Sequence, residues 1–155
     1  MFRAIAIDSE AAKTYRETHR GAGGREGELW RAEGHLAPCR HCLRDVGMEG
    51  GVVLIAHSPF AGEGPFAETG PIFVCGEACA RAELEAGELP EIVLRRPVSL
   101  RAYDRREKML YPHNRVVDGA AAGAAIAAIL DDASVERVHV RTRDHGCFLC
   151  AVVRA

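Results

Sequence analysis

The spacing of hydrophobic residues predicts strands along most of the chain. Val52-Val53-Leu54-Ile55-Ala56 is an unbroken aliphatic run without a polar face, which indicates a central strand covered on both sides. Residues 98–103 alternate between apolar and more polar side chains, as in a strand with one buried face. Further strands are predicted at residues 2–7, 70–75 and 109–117, and a proline in the last of them marks an edge or a bulge.

Two longer segments have the composition or periodicity of helices. Residues 10–18 follow Asp8 and Ser9, either of which can cap the first turn of a helix. Residues 120–130 carry an apolar stripe at positions i, i+3 and i+4 among small residues, and Asp118 precedes them as a cap. The small residues permit close packing, so we expect this second helix to lie on a sheet.

The C-terminal stretch predicts a closing β-hairpin. Two β-rich runs, 137–143 and 147–154, flank Asp144-His145-Gly146, where glycine can adopt the positive φ of a short loop. Strand pairs with short links and few helical crossovers are typical of an α+β fold. We therefore expect one domain, residues 1–155, with a mainly antiparallel sheet, two or three helices packed on it and a C-terminal β-hairpin.

Length and charge narrow the class of protein. A chain of 155 residues can bury a core without needing disulfides or a metal. The formal net charge of −2 at pH 7 gives no overall field to attract nucleic acid or an anionic membrane. The N-terminus lacks a signal-like apolar stretch, and no run approaches the ~18 apolar residues of a membrane span. We expect a cytoplasmic protein with no membrane partner.

Six cysteines are the main candidates for chemistry. Cys39 and Cys42 form one Cys-x-x-Cys pair, and Cys147 and Cys150 form another in the closing hairpin. Four thiolates are the number that a closed tetrahedral zinc site requires, and a reducing compartment keeps them unpaired. We therefore expect the two pairs to meet, either as a zinc site or as an unliganded thiol cluster. Further candidate ligands are Cys75, Cys79 and His41.

Two other interpretations of the cysteines stay open. In an extended strand Cys147 and Cys150 point to opposite faces, and Cys150 can simply pack as a small hydrophobe. A thiol oxidoreductase instead needs a thiol with a lowered pKa. Cys39, with basic neighbours, could supply it, as could Cys79 in the first turn of a short helix predicted at 77–85.

Basic residues occupy one face of the predicted hairpin. Arg137, His139 and Arg141 have the same parity and project from one side of a regular strand, where Arg101 of a neighbouring strand can join them. Guanidinium groups bind carboxylate and phosphate bidentately, so this face is a candidate site for an anionic small molecule. The alternative is a solvated face whose arginines pair with acidic residues. No aromatic residues interleave with the basic ones, so nucleic-acid binding is not expected.

Five stretches of the sequence carry a family resemblance: residues 38–45 (Pro-Cys-Arg-His-Cys-Leu-Arg-Asp), 67–74, 100–104, 138–141 and 147–150. Together they resemble a family of small bacterial proteins known as domain of unknown function 1203. The resemblance spans nearly the whole chain and implies no reaction, because the family has no assigned activity. Common catalytic motifs such as Gly-x-Ser-x-Gly are also absent. We expect a non-catalytic domain with a cysteine-rich, zinc-binding site, and the question of enzymatic activity stays open.

Overall fold

The computed structural model describes all residues from 1 to 155 and contains strands and helices in the predicted α+β combination. No helix has the length and apolar character that a membrane span needs. In chain order the elements are β1 (Phe2–Ile5), α1 (Ser9–Thr18), β2 (Glu28–Trp30), β3 (Leu36–Pro38), β4 (Asp45–Gly47), β5 (Val52–His57), β6 (Gly70–Cys75), α2 (Glu91–Leu94), β7 (Val98–Tyr103), β8 (Arg115–Val117), α3 (Ala122–Leu130), β9 (Arg137–Thr142) and β10 (Phe148–Arg154).

The larger sheet has five antiparallel strands in the order β1-β10-β9-β7-β8. Leu100, Val138 and Val140 point to one face of this sheet and are fully buried in the main core. α3 packs on the same face through Ile126 and Ile129, which belong to its apolar stripe. Burial of each such side chain contributes about 1.5–3 kcal/mol, so this face supplies much of the driving force for folding.

A smaller antiparallel sheet, β2-β5-β6, lies against the other side of β10. Its residues Ile55, Ile72 and Val74 form a second core with Phe148 of β10 and Ala12 of α1. β5 lies between β2 and β6, as its unbroken aliphatic run predicted, and β10 lies between β1 and β9, so both strands are internal. A separate two-stranded ribbon, β3-β4, leads into the smaller sheet.

The closing hairpin forms as predicted, with a β-bulge in its second strand. Gly146 has a φ of 70° in the loop between β9 and β10. Phe148 pairs with Arg141 and Cys150 with Val140, so Leu149 is an extra residue. Strict alternation would have placed Phe148 and Cys150 on one face. The bulge instead turns Phe148 into the second core while Leu149 and Cys150 pack in the main core.

The two predicted helix caps use different groups. Asp8 accepts a hydrogen bond from Ala11 N through its side chain (2.8 Å), as predicted for α1. Asp118 accepts from Ala121 N through its backbone carbonyl (2.9 Å), and its side chain makes no capping bond. A 3₁₀ turn, Gly119–Ala121, therefore precedes α3.

The helix predicted at residues 77–85 is wrong, because this segment is an irregular loop. Its polar groups bind neighbouring segments instead of one another: Ala82 N donates to His41 O (2.9 Å), and Arg81 donates through its side chain to Ala6 O (2.7 Å). An α-helix would need the backbone donor for its own i to i−4 bond. Tertiary hydrogen bonds thus outweigh a weak local preference.

The strand predicted at 109–117 is shorter than expected. Pro112 lies in a 3₁₀ turn, Tyr111–His113, and this segment pairs with β7 through β8 and through a single bridge from Met109 to Tyr103. β8 is one of the two edge strands of the larger sheet. The edge position agrees with the proline signal, since proline cannot donate to a strand ladder.

Gly119 allows the segment before α3 to approach α2 closely. A Cβ at this position would lie within 3 Å of the carbonyl oxygens of Val93 and Leu94. We expect Gly119→Ala to lower the free energy of unfolding by about 1–3 kcal/mol, because the backbone must shift to relieve the overlap. Gly123→Ala is the matched control, since its Cβ would have no neighbour closer than 3.8 Å. Its stability should stay equal or rise by up to about 1 kcal/mol. Urea unfolding of both variants tests this, and equal losses would contradict it.

Candidate metal centre

The turn between β3 and β4 brings Cys39 and Cys42 to the same side of the chain. Cys39 N donates to Arg44 O (2.9 Å), and Leu43 N donates to Cys39 O (2.9 Å). Leu43 has a φ of 54°, in the left-handed region that non-glycine residues seldom adopt. Its side chain is buried in the main core. Packing of this leucine therefore holds the turn that presents the two thiols.

The end of β6 supplies two more thiols at the same place. Cys75 is the last residue of β6, and Cys79 follows in the irregular loop. Arg40 N donates to Phe73 O (3.0 Å), and Cys75 N donates to Cys39 Sγ (3.3 Å). These contacts attach the β3–β4 turn to the end of β6. Residues that are distant in the sequence thus share one site.

The four sulfurs of Cys39, Cys42, Cys75 and Cys79 all lie within 4.8 Å of one another. The Sγ atoms of Cys39 and Cys79 are 4.0 Å apart, and those of Cys42 and Cys75 are 3.9 Å apart. Ligands at the zinc–sulfur distance of about 2.3 Å in a tetrahedron are roughly 3.8 Å from one another. All six cysteines are free thiols. The cluster, which we call the four-thiol site, can therefore hold one metal ion.

The four thiols influence each other's ionisation. Hydrogen bonds with Cys42 and then Cys75 lower the pKa of Cys39 below its ordinary value. The same contacts with Cys39 raise the pKa of Cys42 and of Cys75, and burial raises the pKa of Cys79 to about 12. Ionisation of Cys39 is thus favoured, whereas ionisation of a second thiol in the cluster is opposed. A divalent cation would remove this opposition, because it replaces the protons of all four groups.

His41 connects the four-thiol site to the start of α1. Its Nδ1 lies 3.2 Å from Cys79 Sγ, and its Nε2 lies 3.0 Å from Ser9 Oγ. Burial lowers the pKa of His41, which favours a neutral ring with one N–H. With the hydrogen on Nδ1, the ring donates to the sulfur and accepts from the serine hydroxyl. This arrangement is typical of a residue that orients a metal ligand from outside the coordination sphere.

Arg40 lies between the two thiols of the turn and is almost completely buried, at 2% exposure. Its Nε donates to Phe148 O (2.6 Å), and its Nη1 donates to Pro38 O (2.5 Å). Burial lowers the pKa of Arg40 to about 10, so the guanidinium stays charged at neutral pH. No carboxylate pairs with it, so the two backbone carbonyl oxygens of Phe148 and Pro38 are its observed acceptors.

The second predicted pair, Cys147 and Cys150, lies outside the four-thiol site. Cys150 is fully buried in the main core, where burial raises its pKa to about 12, and it packs there as a small hydrophobe. Cys147 belongs to the hairpin loop and has His145 O as a neighbour at 4.0 Å. The structure therefore joins the first pair to Cys75 and Cys79, which were only secondary candidates in the sequence.

One sequence signal could have identified the right partner. Cys75 ends a predicted strand and is followed by Gly76, so it stands where a strand gives way to a loop, as Cys39 does. The predicted helix at 77–85 obscured this similarity, because it assigned Cys79 to a helical turn. Cys150, in contrast, stands in the middle of an apolar run, where a thiol most often packs.

The predicted basic face exists, but the smaller sheet and a loop cover it. His139 is fully buried and packs against the rings of Phe60 and Phe148, with centroids 5.0 and 5.2 Å away. Neither nitrogen of its ring has a hydrogen-bond partner. Burial, helped by nearby arginines, lowers the pKa of His139 to about 3, so the ring is neutral at pH 7. His139 is therefore not available to an anion from solvent.

The three arginines of the face each lie near a carboxylate. Arg137 Nη1 is 3.7 Å from Glu107 Oε1. Arg101 Nη1 and Arg141 Nη2 are 3.0 and 2.7 Å from the same oxygen, Oε1 of Glu68. The four predicted anion ligands thus share a face without converging on one open surface, and only Arg101 and Arg141 meet.

Comparison with known proteins assigns the chain to a family. A family model described as "Protein of unknown function (DUF1203)" matches residues 36–154. The chain belongs to the DUF1203 family. The part of this DUF1203 protein that matches runs from β3 to β10 and contains all six cysteines, whereas β1, α1 and β2 precede it. No curated protein and no solved structure matches the chain.

Replacement of Arg40 in the DUF1203 chain should be costly. We expect Arg40→Met to lower the free energy of unfolding by about 2–6 kcal/mol, because it leaves Phe148 O and Pro38 O without their buried donor at about 1–3 kcal/mol each. Arg44→Met is the control, since Arg44 is exposed in the same turn, and it should change stability by no more than about 0.5 kcal/mol. Denaturant unfolding measures both, and a stable Arg40→Met variant would contradict the assigned role.

Proposed function

We propose that this DUF1203 protein binds one zinc ion through Cys39, Cys42, Cys75 and Cys79, and that the ion has a structural role. The observation that supports the proposal is the mutual proximity of four free thiols within 4.8 Å. Four thiolates complete a tetrahedral shell and leave no open position for water or substrate. The ion would join the β3–β4 turn to the loop after β6, two segments that no disulfide connects.

Zinc is the ion that best suits this set of ligands. Thiolates are soft ligands and in tetrahedral geometry select zinc or iron, whereas magnesium and calcium prefer oxygen ligands. Cys42, Cys75 and Cys79 are partly exposed and border a cleft of about 880 Å³. The ion can therefore reach the thiols from solvent, and a chelator can remove it.

The charges around the thiols also favour a bound tetrathiolate. Zinc with four thiolates carries a net charge of −2, which needs nearby positive charge in a partly buried place. Arg40 is buried beside Cys39, and Arg44 and Arg81 line the adjoining cleft. Arg40 would compensate this charge from the core side, and Arg81 borders the site from the cleft.

Metal content tests the proposal directly. Protein purified without chelator should contain about one zinc per chain, and Cys42→Ser and Cys75→Ser should each abolish or strongly weaken binding, because a closed site needs all four thiolates. Cys147→Ser is the matched control and should retain the ion. Cobalt substitution should give the absorption of tetrahedral cobalt thiolate in the wild type and in the control. Equal metal content in Cys75→Ser and wild type would overturn the assigned ligands.

A count of free thiols in the same purified protein, before and after mild oxidation, distinguishes zinc binding from thiol–disulfide chemistry. In a metal-free cluster the short contacts join Cys39 to Cys79 and Cys42 to Cys75, so an oxidoreductase would lose thiols two at a time and reversibly under mild oxidant. Absence of metal together with such paired loss would replace the structural role by a redox role. Absence of metal with all six thiols titratable in the unfolded protein, and no paired loss under oxidant, would reduce the cluster to packed cysteines.

A second prediction concerns His41, which we assign to the outer sphere of the metal. His41→Ala should weaken zinc affinity by about 10- to 100-fold while about one ion still binds at saturation. His41→Asn should recover part of the affinity, because its amide can donate near the position of Nδ1. His57→Ala is the control, since His57 bonds Tyr15 (2.8 Å) and does not contact the sulfurs. A competition titration with a chromophoric chelator measures these affinities. If His41→Ala bound no zinc even at saturation, His41 would instead be a direct ligand.

A further inference from the structure

A small cavity lies between the loop that leads into β6 and the β9–β10 hairpin loop. Its volume is about 200 Å³, and its walls include Glu68, Pro71, Arg141, Gly146 and Cys147. None of the cysteines of the four-thiol site lines it. Ligand pockets for drug-sized molecules begin near 300 Å³, so the cavity suits a molecule of only a few heavy atoms.

Arg141 is the cationic group that lines this cavity, and it is 95% buried. Its Nη1 donates to Gly146 O (3.0 Å), which fixes the guanidinium against the hairpin loop. Its Nε has no hydrogen-bond partner, and its Nη2 is close to Glu68 Oε1 without the geometry of a hydrogen bond. Buried charged donors are normally satisfied, and an unsatisfied one calls for a partner that is not a protein side chain.

Arg101 approaches the same carboxylate from the neighbouring strand β7. Its Nη1 donates to Glu68 Oε1 (3.0 Å), and its Nη2 lies 3.7 Å from where a Cβ on Gly146 would stand. No other carboxylate lies within salt-bridge distance of Arg101 or Arg141. Two guanidinium groups therefore share one oxygen of one negative charge, and one positive charge is left uncompensated.

Glu68 itself indicates what kind of group fits between the two arginines. It is a carboxylate that reaches them from a loop, and its side chain is 46% exposed, so it can leave without disturbing the core. We propose that a small organic carboxylate enters this cavity and displaces the side chain of Glu68, so that it binds Arg141 in the cavity wall and Arg101, which contacts Glu68 from outside the lining. The carboxylate would use both of its oxygens where Glu68 uses one, because paired guanidinium groups favour bidentate contacts.

Two histidines near the cavity leave this charge balance unchanged. His57 lines the cavity and His139 lies behind it, and burial lowers their pKa values to about 4 and about 3, so both are neutral at pH 7. Asp144 in the hairpin loop pairs with Arg143 (2.7 Å). The site is separate from the four-thiol site, and it does not depend on whether zinc binds there.

Removal of the Glu68 carboxylate, which occupies the proposed ligand position, tests the proposal. Glu68→Gln keeps the size of the side chain and removes its charge. We expect succinate or malonate to bind this variant about tenfold more tightly than the wild type, in which the tethered carboxylate competes at millimolar effective concentration. The probes are the sodium salts of acetate, malonate and succinate, and the dissociation constant follows from the dependence of Tm on ligand concentration. Glu68→Ala serves as a second variant and should behave in the same way.

Two further variants locate the binding. Arg101→Gln in the Glu68→Gln background should weaken carboxylate binding at least tenfold, because it removes one of the two guanidinium groups. Arg137→Gln in the same background is the matched control, since Arg137 lies on the same face but pairs with Glu107. It should leave the affinity unchanged. Equal loss in both double variants would overturn the assigned site.

The choice of anion is tested with the same assay. Sodium chloride at equal ionic strength should not reproduce the stabilisation, and a chloride effect as large as that of succinate would overturn the proposal. Inorganic phosphate provides the other comparison. Tighter binding of phosphate than of every carboxylate would overturn the assignment of ligand class, even if the Arg101→Gln variant lost binding.

Discussion

Arg40 holds the two sheets of this protein in position relative to each other. Its side chain donates to the backbone of β10 at Phe148, in the larger sheet, and its own N–H donates to Phe73 in β6, in the smaller one. Its carbonyl accepts from Ile7 N (3.1 Å) just after β1. One buried residue thus joins three segments that are far apart in the sequence. Such a cation is tolerated because its guanidinium donates to two carbonyl oxygens, those of Phe148 and Pro38.

The same contacts decide where the cysteines meet. Because Arg40 ties the β3–β4 turn to the end of β6, Cys39 and Cys42 face Cys75 and the loop that carries Cys79. With zinc bound as proposed, the tetrathiolate would place negative charge close to the buried guanidinium. The fold and the metal site would then stabilise each other electrostatically, and each would be weaker without the other.

Contact between the sheets also changes the chemistry of the basic face. His139 loses its solvent and becomes a neutral ring among aromatic side chains, whereas Arg141 keeps its charge but finds too few acceptors. The β-bulge at Leu149 contributes to this difference, since it directs Phe148 toward His139 and the smaller sheet. The basic residues that alternate along β9 therefore have different environments: His139 packs in the core, and Arg141 is a candidate ligand for an anion.

The sequence by itself determined the local elements. The aliphatic run of β5, the stripe of α3, the cap at Asp8 and the glycine of the hairpin loop all act within a few residues, so their patterns predicted the α+β fold and the internal strands. Tertiary structure decided which thiols and which charges meet. The spacing of the two Cys-x-x-Cys pairs did not show which thiols meet, and the choice of Cys75 and Cys79 over Cys147 and Cys150 depended on hydrogen bonds and strand register between distant segments. Those long-range contacts leave little trace in local periodicity, because each arises from the summed packing of the whole chain.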